Sequence, residues 1–153
     1  MNNNDIVIEH ATESSIFLRD AIENLAKQEG ENYCILSMQD LQDMLQSTQS
    51  FLFIAKHKPS GNIVGMAMVM IYRIPYTKKA YIDDVVVDKS YRNLGIATLL
   101  MEHAISVSKQ HDVSYIMLTA HIERAAGNRL YQKFGFQQRN SNVYRLELTH
   151  EKD

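Results

Sequence analysis

The sequence predicts a mixed α/β domain, and three observations carry that prediction. Short apolar runs of strand type alternate with stretches of helical period, in the order β-α-α-β-β-β-α-β-α-β-β. Over 153 residues, 45% are hydrophobic and 22% charged, which suits one packed domain spanning residues 1–153. Turn chemistry separates the runs, with "KPSG" between two strands and Gly135 closing the last helix.

Each element has its own reason. "DIVIEHA" alternates and reads as a first strand. Thr12 opens a helical stretch with Leu18, Ile22 and Leu25 on one face, ending near Gly30. Ser37 with Asp40 starts a second helix, where Met38, Leu41 and Leu45 fall at helical spacing. "FLFIAKH" and "NIVGMAMVMIY" form a hairpin, and "AYIDDVVVD" is a fourth strand rich in β-branched residues. From Ile96 the positions Leu99, Leu100, His103, Ala104 and Val107 trace an amphipathic helix. "VSYIMLTA" reads as a buried strand and "RAAGNRLYQKF" as a short helix. "FGFQQRN" and "VYRLEL" close the chain as a hairpin around "NSN".

Composition excludes several classes. The net charge of −2, with no long run of one sign, excludes a nucleic-acid surface and a polybasic membrane patch. A lone cysteine, Cys34, excludes an intramolecular disulfide and a cysteine-based zinc cluster. The histidines show no metal-binding spacing, so no metal is expected. The N-terminus lacks a basic region and a long apolar stretch, and "IVGMAMVMIY" is far short of the ~20 residues of a membrane span. A cytoplasmic protein is expected, and a homodimer is compatible with the sequence.

The junction "YRNLGIATLL" carries the chemistry. It joins a strand to a helix whose first turn presents unpaired N–H groups and a positive dipole end. Gly95 permits a positive φ and close approach of a ligand, Ala97 keeps the first turn small, and Arg92 adds a charge that pairs with phosphate. The result is an anion cradle, though neither a Walker A loop nor a G-x-G-x-x-G loop.

"VVVDKSYRNLGIATLLMEHA", followed about thirty residues later by "NRLYQKFGF", resembles the GNAT superfamily of acyl-CoA-dependent N-acyltransferases. Arg92, Gly95 and Ala97 match the family's Gln/Arg-x-x-Gly-x-Gly/Ala loop. Leu130, Tyr131, Gly135 and Phe136 match its late Leu-Tyr and Gly-Phe. The resemblance implies a GNAT-like, mostly antiparallel sheet with a splayed central strand pair and flanking helices. It implies acetyl-CoA as co-substrate, with Val85, Val86 and Val87 along the pantetheine arm and Asn93, Leu94, Gly95, Ile96, Ala97 and Thr98 around the pyrophosphate. Where many relatives carry an asparagine, this chain has Arg124, and Asn128 takes the expected pantetheine contact.

Amide formation needs a base, because a primary amine of pKa ~10.4 is protonated at neutral pH. Asp83 and Asp84 supply the candidates, resembling the acidic pair of polyamine and amino-sugar acetyltransferases. Adjacent strand residues point to opposite faces unless a bulge intervenes, so which of the two is the base stays open. Tyr131 is the candidate general acid, and a strand amide at Val86 or its neighbour would meet the oxyanion. Glu29, Glu31, Tyr33 and His121 are expected on the acceptor side. The expected acceptor is a small cationic amine, with a peptide amine or a non-catalytic acyl-CoA-binding domain as alternatives.

Overall fold

In the computed structural model the described residues are 3–30 and 35–148, and they fall into two compact units, Met1–Thr119 and Ala120–Asp153. The first unit runs β1 (Ile6–Ala11), α1 (Ile16–Gln28), α2 (Met38–Gln46), β2 (Ser50–His57), β3 (Ile63–Ile74), β4 (Thr77–Val87), α3 (Ile96–Gln110) and β5 (Tyr115–Met117). The sheet keeps sequence order, β1-β2-β3-β4-β5. The first three pairings are antiparallel and β4–β5 is parallel.

The first two helices start at hydroxyl caps. α1 begins at Ser15 rather than Thr12, because the Ser15 hydroxyl accepts from the Leu18 N–H at 3.0 Å. Ser37 caps α2 as expected, accepting from the Asp40 N–H at 3.0 Å. β3 and β4 run longer than their apolar patterns and meet across Pro75-Tyr76, with Ile74 paired to Thr77.

Register assigns the faces. Met66 opposes Val86 and Met68 opposes Asp83, so these four share one face. That face carries the cluster of Leu18, Leu25, Leu41, Leu52, Ile54, Met66 and Val86, which buries α1 and α2. On the other face α3 packs against β3 and β4. Gly65 makes this approach close: a Cβ there would meet Ile96 and Leu100 side-chain carbons at 3.3 Å and the Val86 carbonyl oxygen at 3.1 Å. The first turn of α3 is thereby seated over the end of β4.

The fifth strand departs from expectation. The ladder covers Tyr115–Met117 alone rather than 113–120, and Tyr115 and Met117 are exposed instead of buried. Among the described residues β5 is the last strand of the sheet and pairs with β4 alone. β4 and β5 stay together through Lys79–Tyr81 and part after the Tyr81–Met117 pair, which is the expected splay.

The second unit holds α4 (Ala125–Lys133). It ends as its sequence dictates. Gly135, at φ 89°, donates to the Gln132 carbonyl at 2.9 Å, and Phe136 donates to the Tyr131 carbonyl at 3.0 Å. The rings of Tyr131 and Phe136 lie 6.2 Å apart, edge to face, adding the apolar contact that accompanies this helix ending. The expected closing hairpin is not seen, since residues 136–148 form no strand. Period-two alternation favours an extended chain, and Arg145 pairs with Glu147 two residues on at 2.6 Å, but a strand also needs a paired ladder.

Candidate functional site

The site begins where β4 loses its partner. Beyond Tyr81 one edge of β4 pairs with β3 and the other has no strand among the described residues. The Asp88 N–H donates to the Val64 carbonyl at 2.8 Å, on the β3 side. Backbone groups alternate along a strand, so Val86 also faces β3, while Val87 turns its N–H and C=O to the open edge. This corrects the expectation for Val86: its amide belongs to the β3 ladder and its side chain to the core. The open-edge donors fall to its neighbours.

A bulge interrupts β4 at the acidic pair. Between the pairs Met66–Val86 and Met68–Asp83, two residues, Asp84 and Val85, oppose the single residue Ala67. Asp84 takes the extra position at φ 50°, and the Asp83 carboxylate accepts from its N–H at 2.9 Å. The bulge releases the pair from strict alternation. Asp83 keeps the face of Met68, and Asp84 comes within electrostatic reach of both Asp83 and Glu29. Lost hydration first, then the charges of Asp83 and Glu29, raise the Asp84 pKa above the ordinary carboxylate value. Asp84 retains exposed surface, so this is a partly solvated carboxylate made more basic, not a buried neutral acid.

The loop after β4 is built from the backbone outward. Asp88 caps the short 3-10 turn Lys89–Tyr91 by accepting from Ser90 N–H at 2.8 Å. Gln28, at the end of α1, clasps the same turn: its amide donates to Asp88 at 2.8 Å and its carbonyl accepts from the Lys89 N–H at 2.9 Å. Partial burial pushes Asp88 up, but the bonds from Gln28 and Ser90 and the Arg92 charge outweigh it, and its pKa is lowered. Asn93 and Gly95 both take positive φ, 64° and 77°. Gly95 is the N-cap of α3 and offers no side-chain acceptor, so the first-turn amides at Ile96, Ala97 and Thr98 stay directed at whatever anion arrives.

Arg92 does not point at a vacant cradle. Its Nε donates to the Val87 carbonyl at 3.1 Å, and its terminal nitrogen pairs with Glu29 at 3.1 Å. Neither Gln28 nor this ion pair was legible in the sequence, since both link positions about sixty residues apart.

Other expected site residues are placed as follows. In the second unit, Asn128 donates to the carbonyls of His121 at 2.9 Å and Arg124 at 3.0 Å, so its NH₂ serves the turn before α4. That leaves its carbonyl oxygen for a ligand. His121 contributes its backbone to this turn. Glu31 and Tyr33 lie outside the described residues. His10, His103 and His111 stand beside Phe51 and Phe53 at ring separations of 5.0–6.0 Å, and His103 also bonds the Leu99 carbonyl at 2.9 Å. A shallow cleft of about 330 Å³ between α1, β3 and the turn is lined by Asp20, Asn24, Asp88 and Tyr91 among others. Neither Asp83 nor Asp84 lines it.

An open strand edge, a helix N-terminus with bare amides and a carboxylate pair at a bulge thus come together at one end of β4. Residues 18–136 match the Acetyltransferase (GNAT) family, and the chain belongs to that family of acyltransferase enzymes, which use acetyl-CoA as donor. A glucosamine 6-phosphate N-acetyltransferase of Trypanosoma brucei brucei is 31% identical over 96 residues, covering 60% of this chain. The matched region spans 62% of that relative's length. Among solved structures, an acetyltransferase of Trypanosoma brucei superposes with a TM-score of 0.76 at 24% identity, covering 94% of this chain and all of the other. An aminoglycoside acetyltransferase from an uncultured soil sample, bound to sisomicin, gives 0.78 at 20% identity, covering 95% and 99%. Glucosamine-6-phosphate N-acetyltransferase of Arabidopsis thaliana gives 0.76 at 16% identity, covering 92% and 98%. These structures share the fold. No described helix is long and apolar enough to cross a membrane.

Proposed function

We propose that this chain acetylates the primary amine of a small cationic acceptor, with an amino sugar ahead of a polyamine. The observation that carries the reading is the bulge, which gathers Asp83 and Asp84 near Glu29 at the open edge of β4. Three carboxylates there attract a protonated amine and hold it beside a group that can accept its proton. The similarity to a glucosamine 6-phosphate acetyltransferase and an aminoglycoside acetyltransferase supports the amino sugar. The family match crosses both compact units, which supports one catalytic domain.

When bound, acetyl-CoA supplies the thioester acyl group. The fit rests on the open amides of Ile96, Ala97 and Thr98, the small Gly95 and Ala97, and the free edge at Val85 and Val87. Asn93 and Leu94 complete the cradle, and the Asn128 carbonyl oxygen accepts from the pantetheine arm. Asp84, directly or through a water held by Asp83, takes one proton from the ammonium and passes it to solvent; the free amine then forms the C–N bond, and its second proton leaves by the same route. An open-edge amide of β4, at Val85 or Val87, meets the negative oxygen. The Tyr131 hydroxyl returns a proton to sulfur as the C–S bond breaks, and solvent resets both groups. A raised Asp84 pKa favours this role, since a base works best with a pKa near the working pH.

The test is CoA release with a panel of glucosamine, glucosamine 6-phosphate, sisomicin, spermidine and a lysine peptide. Turnover led by the amino sugars supports the reading. Turnover with the peptide alone replaces it, and CoA binding without turnover of any amine makes the chain a binding domain. Tyr131→Phe should lower kcat by ~10²–10⁴-fold with acetyl-CoA affinity kept. A near-normal kcat would reduce Tyr131 to the packing partner of Phe136.

A further inference from the structure

The loop between β4 and α3 has no apolar anchor. No residue from Val87 to Gly95 is buried, and the next side chain to enter the core is that of Ile96. The bends of the loop are its own, but its place on the domain rests largely on polar contacts. The Asp88 N–H donates to the Val64 carbonyl of β3 at 2.8 Å, and the Tyr91 ring meets His57 edge-on at 5.3 Å. From the end of α1 come the exposed Arg92–Glu29 pair and the Gln28 amide. Gln28 makes two complementary bonds at once. Its Nε2 donates to Oδ2 of Asp88 at 2.8 Å, and its Oε1 accepts from the Lys89 N–H at 2.9 Å. Oδ1 of Asp88 accepts meanwhile from the Ser90 N–H at 2.8 Å. A carboxylate in place of the amide would offer acceptors only, and an ammonium donors only, so this position calls for an amide.

We propose that Gln28 is a positioning residue for the acyl donor: by clasping Asp88 and Lys89 it fixes the turn that holds the Asn93–Gly95 backbone in the shape that receives the coenzyme. This rests on the coenzyme reading of the loop given above. Only Arg92, Asn93, Leu94 and Gly95 separate the turn from α3, and Asn93 and Gly95 stand at φ 64° and 77°. The left-handed region is uphill for a residue with a side chain, so Asn93 stays there only while both ends of the segment are held. The α3 end is held by Ile96 and Leu100 packed on Gly65. The other end is held by the clasped turn, a three-residue 3-10 element with little stability of its own.

Gln28 touches no part of the cradle and acts through the turn. Without the clasp the turn loosens, Asn93 relaxes toward negative φ, and the amides around Gly95 swing away from a common target. Binding must then restore an order that the wild type has before the coenzyme arrives.

Calorimetry with CoA on the full chain, well below the melting temperature of each variant, tests this. Gln28→Ala should weaken CoA binding by about 3–10-fold, the scale of a hydrogen bond to a charged group partly expressed in affinity. Gln28→Glu should weaken it at least as much, because a second carboxylate then faces Asp88. Adding Asp88→Asn to Gln28→Glu reverses the bond. The new amide donates to the new carboxylate, which still accepts from the Lys89 N–H, at wild-type net charge and nearly wild-type shape. Affinity in this double variant should return to within about twofold of wild type, a coupling that independent sites would not show. Full affinity in Gln28→Ala, whatever its melting temperature, would overturn the proposal and make Gln28 a fastener of the fold alone. A double variant that binds no tighter than Gln28→Glu would also overturn it, because the loss would then not run through this bond. Absence of CoA binding in the wild type would remove the coenzyme reading and this inference together.

Discussion

The glycine loop before α3 and the acidic cluster stand at the same end of β4, yet they are built by opposite means. The loop is local. Residues 88–98 carry their own turn cap, their own positive-φ positions and the bare first turn of α3. The cluster is assembled from two distant segments and a register slip, with Glu29 arriving from α1 and Asp84 displaced by the bulge. A local device is set by a few residues in a row, while an assembled one depends on how the sheet and α1 pack. The lesson is that donor binding can persist when acceptor chemistry is lost, and substitutions can separate the two.

Gly95→Glu should give the largest loss of binding, confined to the loop. A carboxylate in the cradle opposes the phosphates, and losing one or two charge-assisted bonds weakens CoA binding by roughly 10²-fold. The positive φ adds about 1–2 kcal/mol of strain, which a domain of ordinary stability survives. Gly95→Asn, which tolerates the left-handed backbone, should keep most of the affinity. Calorimetry that finds full affinity in the glutamate variant would mean the phosphates lie elsewhere.

Asp84→Asn should strike the other region. Its kcat should fall by ~10²–10⁴-fold while CoA affinity holds. Stability should move the opposite way, because this carboxylate has a raised pKa and its ionisation works against the fold. The penalty is absent below the unfolded value of about 3.9, grows as pH rises, and is complete above the folded pKa. The asparagine variant should therefore melt higher than wild type at neutral pH and level with it near pH 3, as thermal scans at both pH values would reveal. A lower melting temperature at neutral pH would mean that the charge is compensated by a partner.

Gly65→Ala should harm both regions at once, by less. The added carbon meets a backbone oxygen at 3.1 Å and two α3 side chains at 3.3 Å. Accommodation costs about 1–3 kcal/mol and lifts the first turn of α3 from the end of β4. Urea titration should record the loss of stability, and CoA binding a parallel weakening.

Asp88→Asn should have the smallest effect. Hydrogen bonding lowers the Asp88 pKa, so its stabilisation is present above the unfolded value and is lost as pH falls through the folded one. The substitution should cost about 1 kcal/mol at neutral pH, and nothing once the wild-type carboxyl is protonated. Identical acid limbs for both proteins would show that the Asp88 charge is not what fastens the turn.

How much of this the sequence disclosed follows the same division. Gly95 before an amphipathic run implies an open helix start, because both signals sit within a few residues. The β2–β3 hairpin, the α2 cap and the end of α4 are legible for the same reason. Asp83 and Asp84 are visible as a pair, but no local pattern says that the ladder slips between Met66 and Met68, so the role of each stays undecided until the register is known. Gln28 looks like any exposed helix residue until Asp88 and Lys89 are placed against it. Gly65 carried a signal that went unused: a glycine inside an apolar strand marks close approach of another element. Alternation after Phe136 calls for an extended chain without naming its ladder partner.

The bulge also bears on heredity. Deleting one codon inside a strand ordinarily turns every later side chain to the wrong face. Loss of the Asp84 codon would not, because Val85 would then stand alone opposite Ala67, and the pairs Met68–Asp83 and Met66–Val86 would both be preserved. The strand carries a spare residue whose removal leaves the reading of both faces intact. A lineage can thus gain or discard this carboxylate in a single genetic step while the ladder on either side keeps its partners.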